Sequence, residues 1–133
     1  MCLQFISEIP SDIFSDLKQI GSGSFSIIFS AIHVKTNTQV ALKVSLKTDE
    51  NFKPERAHQE LVVHKSLNHP LICKYYTDLE TEHLMIAVME LVEGINLLEY
   101  VNKNSSLGIQ EIKKIFAEII IVIEYLHEEH SIA

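Results

Sequence analysis

Lys43 is the residue with most chemistry within reach. It ends the run Val40-Ala41-Leu42-Lys43 and follows, along the chain, the stretch Gly21-Ser22-Gly23-Ser24-Phe25-Ser26. Glycines carry no Cβ, so the backbone N–H groups of such a loop can approach phosphate oxygens closely. A lysine on a neighbouring strand reaches the same phosphates as a point charge. Side chains alternate along a strand, so Val40, Leu42, Val44 and Leu46 face one way and Ala41, Lys43 and Ser45 the other. The first face is apolar and belongs on a core. The second is small, charged, small, and suits a cleft for a flat anionic ligand. A Gly-x-Gly pair alone also closes an ordinary turn, so its neighbours decide. A dinucleotide fingerprint needs strand, glycine turn and then helix. Here Ile27 to Val34 is apolar and rich in β-branched residues and reads as a strand, which predicts a phosphate-covering hairpin.

Other candidates for chemistry are weaker. Glu60 could pair with Lys43, although such a pair in isolation is an ordinary surface contact. His127-Glu128-Glu129-His130 places its histidines three apart and not four, so it reads as a charged helix end and not as a His-Glu-x-x-His metal motif. Cys73, in an apolar stretch, reads as a small core residue.

Composition sets the outer limits. The 133 residues are 47% hydrophobic and 22% charged, enough for one globular domain with a core. A net charge of −7 and the lack of any Lys/Arg-rich run argue against a nucleic-acid surface. Two cysteines, Cys2 and Cys73, without a paired spacing suggest a reducing compartment, and the cytoplasm is the expected location. Residues 1–10 lack a basic leader pattern, and no stretch of membrane-spanning length is free of charge, so neither a signal peptide nor a membrane partner is expected.

These residues need elements to hold them. Residues 1–14 read as a lead-in with a turn at Pro10-Ser11-Asp12. Strands are predicted over 17–22, 27–34 and 39–47, the last two joined by the polar turn Lys35-Thr36-Asn37-Thr38. A helix opens near Pro54 and runs to Leu67, with Glu60, Val63, His64 and Leu67 on one face, and Asn68-His69-Pro70 stops it. Two strands follow, 73–79 and 84–89, joined by Glu80-Thr81-Glu82. After Gly94-Ile95-Asn96 come a short helix over 97–102 and a long one over 110–130. The pattern is α+β.

In that order the chain resembles the N-terminal half of a eukaryotic protein kinase domain, over nearly everything from Leu17 to Ala133. Gly21-x-Gly23-x-x-Ser26-x-Ile28 looks like the glycine-rich loop, and Val40-Ala41-Leu42-Lys43 like the strand bearing the phosphate-binding lysine. Glu60, nine residues before His69-Pro70, stands where the family's helix glutamate pairs with that lysine. Val88-Met89-Glu90-Leu91-Val92-Glu93-Gly94 looks like the hinge, and Tyr125-Leu126-His127 like the end of the helix before the catalytic loop. The hinge and last helix are similar to serine/threonine kinases of the calmodulin-dependent or AMP-activated type. The resemblance implies ATP as cofactor, with Gly21, Ser22, Gly23, Ser24, Phe25 and Ser26 over its phosphates. Lys43 would hold the α- and β-phosphates and be oriented by Glu60. Ile28, Ala41 and Leu97 would sandwich the adenine, Glu90 and Val92 would bond it through backbone groups, Met89 would back the pocket and Asn96 would reach the ribose.

The departures shape the expectation. Ser26 replaces the third loop glycine, and His64 stands where the family has an aliphatic residue. The chain stops at Ala133, where the family's His-Arg-Asp loop would begin, so the magnesium expected for the family finds no ligands and no metal residue is assigned. The expected fold is an α+β protein-kinase-like N-lobe, a five-stranded antiparallel sheet plus one main helix, followed by the first helices of a truncated second lobe. The expected divisions are an extension over 1–14, the ATP-binding lobe over 15–92, and the hinge exit with the first helices over 93–133. The expected function is the ATP-binding part of a serine/threonine protein kinase, inactive by itself. The alternatives are a non-catalytic half-kinase that binds nucleotide or a partner, and an incomplete gene product. Expected partners are ATP, a protein substrate for a full-length kinase, and a partner protein or second copy on the apolar helix 110–130.

Overall fold

The computed structural model describes residues 2–23, 26–104 and 107–130. The chain forms two compact units, residues 1–67 with 73–91, and residues 68–72 with 92–133. The first holds a 3-10 segment, Cys2–Glu8, then β1 (Phe14–Ser22), β2 (Ser26–His33), β3 (Thr38–Leu46), α1 (Pro54–Ser66), β4 (Tyr75–Glu80) and β5 (Leu84–Glu90). The strands make one antiparallel sheet in the order β1-β2-β3-β5-β4. The second holds α2 (Leu97–Lys103) and α3 (Ile109–His130). The five-stranded antiparallel sheet and the helices that follow it are those the resemblance implies.

The period-2 pattern of β3 governs the packing. Val40, Leu42, Val44 and Leu46 join Phe29, Ala31, Leu84, Ile86 and Val88 in the main core on one face of the sheet. Leu42, Leu84 and Ile86 have no exposed surface, and each such side chain contributes about 1.5–3 kcal/mol of burial. The other face carries a smaller cluster, in which Leu61 of α1 meets Met85 and Ala87 of β5.

Three features differ from the sequence expectation. Residues 5–14, read from the sequence only as a short lead-in, contribute to the interior: Ile9 and Phe14 are buried in the main core, with Phe5 and Ile6 packed against it. The Glu8 carboxylate accepts from the Thr81 hydroxyl and from the backbone N–H of His83, 3.1 Å away, while the His83 ring stacks on Phe5 at 4.3 Å. Secondly, β1 begins at Phe14, ahead of the expected Leu17. The register slips between Ser15 and Lys18, and Asp16 takes a φ of 52° there, so a bulge breaks the alternation that marks a strand in sequence. Thirdly, the buried residue of α1 is Leu61, outside the face that contains Glu60 and His64.

In the second unit the Tyr125 hydroxyl accepts from the Asn68 N–H at 2.8 Å, and the Tyr125 ring tilts against His69 at 4.9 Å. These contacts attach residues 68–72 to α3. Much of α3 stays in water: Phe116 is 61% exposed and Ile120 59%. No helix among the described residues is long and apolar enough to cross a membrane.

Candidate functional site

The register of the sheet assembles one face. Directly opposed residues on antiparallel strands point the same way. Ile28 opposes Lys43, which opposes Ala87, and Ala41 opposes Met89. Ser26 opposes Ser45, one step nearer the glycine turn. Ile28, Ala41, Lys43 and Met89 therefore share the face that α1 covers, opposite to the main core. Ala41 is buried, and Ile28 and Met89 are half-buried.

The β1–β2 hairpin closes with the Gly23 N–H donating to the Ser26 carbonyl at 2.7 Å. A Cβ on Gly21 would meet only Ile28, at 3.8 Å, and one on Gly23 would come 3.3 Å from the Ser26 hydroxyl oxygen. Among the described glycines only Gly94 has a positive φ. The two loop glycines are thus not required by backbone conformation, and what they leave free is space above the turn. The expected loop residues Ser24 and Phe25 lie outside the described residues.

α1 brings the carboxylate. Pro54 occupies its first turn, where proline loses no helical hydrogen bond, and Lys53 precedes it in extended conformation without a side-chain cap. The Lys43 ammonium donates to Glu60 Oε1, the pair that the resemblance implies. Lys43 and Glu60 line a cavity of about 570 Å³ with Ser26, Ser45, Asn51, Phe52, Lys53, Arg56 and Ala57. Three cations, Lys43, Lys53 and Arg56, face one carboxylate there. On a chain whose net charge is −7, this is a local positive site that attracts anions. Lys53 and Arg56 were not foreseen: at the start of a polar helix they look like solvated charges, and they are exposed, yet both line the cavity that holds Lys43.

The outer side of α1 is tied to β4. Lys65 pairs with Asp78, the Tyr75 hydroxyl donates to the same carboxylate, and the Lys65 ammonium lies 5.5 Å from the Tyr75 ring centre. Hydrogen bonds from Lys65 and then Tyr75 hold the Asp78 carboxyl below its ordinary range. Burial and the neighbouring Asp78 push the Tyr75 phenol up, so it remains a donor. His64 is half-buried, and its Nε2 donates to the Cys73 carbonyl at 2.7 Å.

The residues expected at the base end divide between the two units. Glu90 ends β5; its N–H donates to the Lys74 carbonyl, its carbonyl accepts from the Cys73 thiol at 3.2 Å, and its Oε2 accepts from the Lys74 N–H at 3.0 Å. Val92, Asn96 and Leu97 belong to the second unit, with Val92 66% and Leu97 49% exposed. Asn96 has a task the sequence reading did not foresee: its Oδ1 accepts from the Glu99 N–H at 2.9 Å and caps α2. Among the described residues no three His, Cys, Asp or Glu side chains come together as a metal site.

A family model described as "Protein kinase domain" matches residues 14–133. The chain is 33% identical over 121 residues to "Serine/threonine-protein kinase SIK1" of Rattus norvegicus, covering 90% of this chain and 16% of that protein. It is 32% identical over 121 residues to the protein of the same name from Mus musculus, covering 90% and 16%. It is also 32% identical over 121 residues to "Serine/threonine-protein kinase SIK2" of Gallus gallus, covering 90% and 15%. The chain thus spans about one sixth of the length of these relatives.

Proposed function

The chain belongs to the protein kinase domain family, and on that footing we propose that its first unit is the ATP-binding part of a serine/threonine protein kinase domain. The observation that carries the reading is the cation-rich cavity at the inner face of β3, where Lys43 is held by Glu60. A triphosphate is a polyanion, and an aligned ammonium in a sheltered site stabilises it by a charge-assisted hydrogen bond. Lys43 takes the α- and β-phosphates and Glu60 orients it. The backbone of Gly21, Ser22, Gly23 and Ser26, with Ser24 and Phe25 between them, covers the phosphates. Ile28 and Ala41 underlie the adenine. Met89 backs it, and backbone groups of Glu90 bond it.

The family reaction, transfer of the γ-phosphoryl group to a protein hydroxyl, belongs in this proposal to a full-length kinase. The 133 residues contain neither a His-Arg-Asp nor an Asp-Phe-Gly sequence, the motifs that supply the catalytic aspartate and the magnesium ligands. On their own these residues are proposed to bind nucleotide without transferring phosphate. Two cysteines without paired spacing support the cytoplasm as its place.

One observation favours a second reading, a non-catalytic module that binds a partner: the exposed apolar residues of α3. Calorimetric titration of ADP and ATP into the wild-type chain and Lys43→Ala, with and without Mg²⁺, separates the two. Weak binding that changes little with Mg²⁺ is expected, with a loss of about 1.5–3 kcal/mol in Lys43→Ala, tenfold or more. Equal affinity in both proteins overturns the nucleotide reading.

A further inference from the structure

We propose that His64 is a positioning residue for the Lys43–Glu60 pair, acting through a hydrogen-bonded strut that runs from α1 through Cys73 to Glu90. The proposal rests on the nucleotide reading above for what the pair does, and on the structure alone for how it is held.

The strut is continuous within the first unit. His64 Nε2 donates to the Cys73 carbonyl at 2.7 Å, and the Cys73 thiol donates to the Glu90 carbonyl at 3.2 Å. Lys74 and Glu90 then exchange two more bonds, from the Lys74 N–H to Glu90 Oε2 at 3.0 Å and from the Glu90 N–H to the Lys74 carbonyl at 2.8 Å. A carbonyl only accepts, so Nε2 carries the proton in this contact. The Tyr75 ring, tilted by 59° at 5.4 Å, fixes the plane of the imidazole. Burial raises the pKa of the Cys73 thiol, which keeps it a donor.

α1 needs this restraint. Leu61 is its only buried side chain, and its first turn has no side-chain cap. The Lys65 contact to Asp78 holds a different row of the helix, and that lysine is 49% exposed. His64 lies four residues after Glu60, so the two stack on one face, one turn apart. Fixing the His64 ring to the Cys73 carbonyl fixes the roll of the helix about its axis, and that roll decides whether Glu60 points at Lys43. An aliphatic side chain at position 64 fills the volume without making this hydrogen bond. The far end of the strut is the backbone of Glu90, so the phosphate end and the base end of the proposed site share one brace.

The test uses the full 133-residue chain with His64→Leu, which keeps bulk and loses the donor, and His64→Gln, whose amide nitrogen replaces Nε2. Two quantities are read: affinity for ADP and for adenosine by calorimetry, and amide hydrogen exchange over residues 54–66. His64→Leu is expected to weaken ADP about tenfold while adenosine changes less than about twofold, because only ADP uses Lys43. Exchange over α1 should accelerate in His64→Leu, and His64→Gln should restore both. A role in bulk packing alone would weaken both ligands alike, and that result overturns the proposal, as does failure of His64→Gln to restore them. If the wild-type chain binds no ADP, the nucleotide reading falls, and the exchange rates decide the strut: equal rates in wild type and His64→Leu overturn it.

Discussion

Lys43 and Glu60 are 30% and 59% exposed, and an ion pair so placed contributes at most about 1 kcal/mol to stability. Its geometry therefore serves the cavity more than the fold. Gly21 makes the same point. A Cβ there would touch Ile28 at ordinary distance, so Gly21→Ala should leave stability within about 1 kcal/mol of wild type while ADP affinity falls, because the added methyl occupies the approach to the loop backbone. Thermal unfolding together with an ADP titration checks this, and a variant that unfolds without losing affinity would make the glycine structural. Lys43 and the glycines were legible because their residue types and spacing carry the signal, and Glu60 through the family resemblance. Leu61, Lys53 and Arg56 were not, because what they do follows from the roll of α1, which a weakly apolar helix does not encode in its own pattern. Asn96 was legible as a helix starter only in hindsight, since the ligand role implied by resemblance drew the reading away from its capping oxygen.

At the scale of elements, β3 was readable from alternation because one of its faces lies on the main core, while β2 and β5 were readable as apolar runs; residues 84–88 of β5 are buried throughout. β1 was readable only beyond its bulge at Asp16, and the 3-10 segment Cys2–Glu8 has no period to read. The contact of α1 with β4 includes the Lys65–Asp78 ion pair and so carries a pH dependence. Lys65 and Tyr75 lower the folded pKa of Asp78. A lowered folded value gives stability that is complete above the unfolded carboxylate value, near about 4, and is lost as pH falls through the folded value. Asp78→Asn keeps the shape and removes the charge. It should melt below wild type at pH 7, and the gap should close as pH approaches 3. Melting curves across that range test this, and a gap that stays constant with pH would sink the assignment. The Glu8 carboxyl is also lowered, first by the Thr81 hydroxyl, and adds the same sign of dependence to both proteins.

For the molecule as a whole, the unbalanced feature is α3. Phe116, Ile119, Ile120, Ile121 and Ile123 are each more than 40% exposed, and each large apolar side chain left in water forgoes about 1.5–3 kcal/mol. Five of them rival the stability of a small domain. The 133-residue chain is expected to associate with itself or a partner, and Phe116→Lys with Ile120→Lys should shift it toward monomer in light scattering. A monomeric wild type at high concentration would refute this. The stretch that identifies the family starts at residue 14, yet Ile9 lies in the same core as Leu42 and Ile86, and Glu8 holds the turn between β4 and β5. Recognition and folding therefore draw their first line at different places. Residues 5–13 lie outside the inherited signature and yet close the hydrophobic side of the sheet that carries it. Any boundary for this domain taken from ancestry alone would cut through its interior.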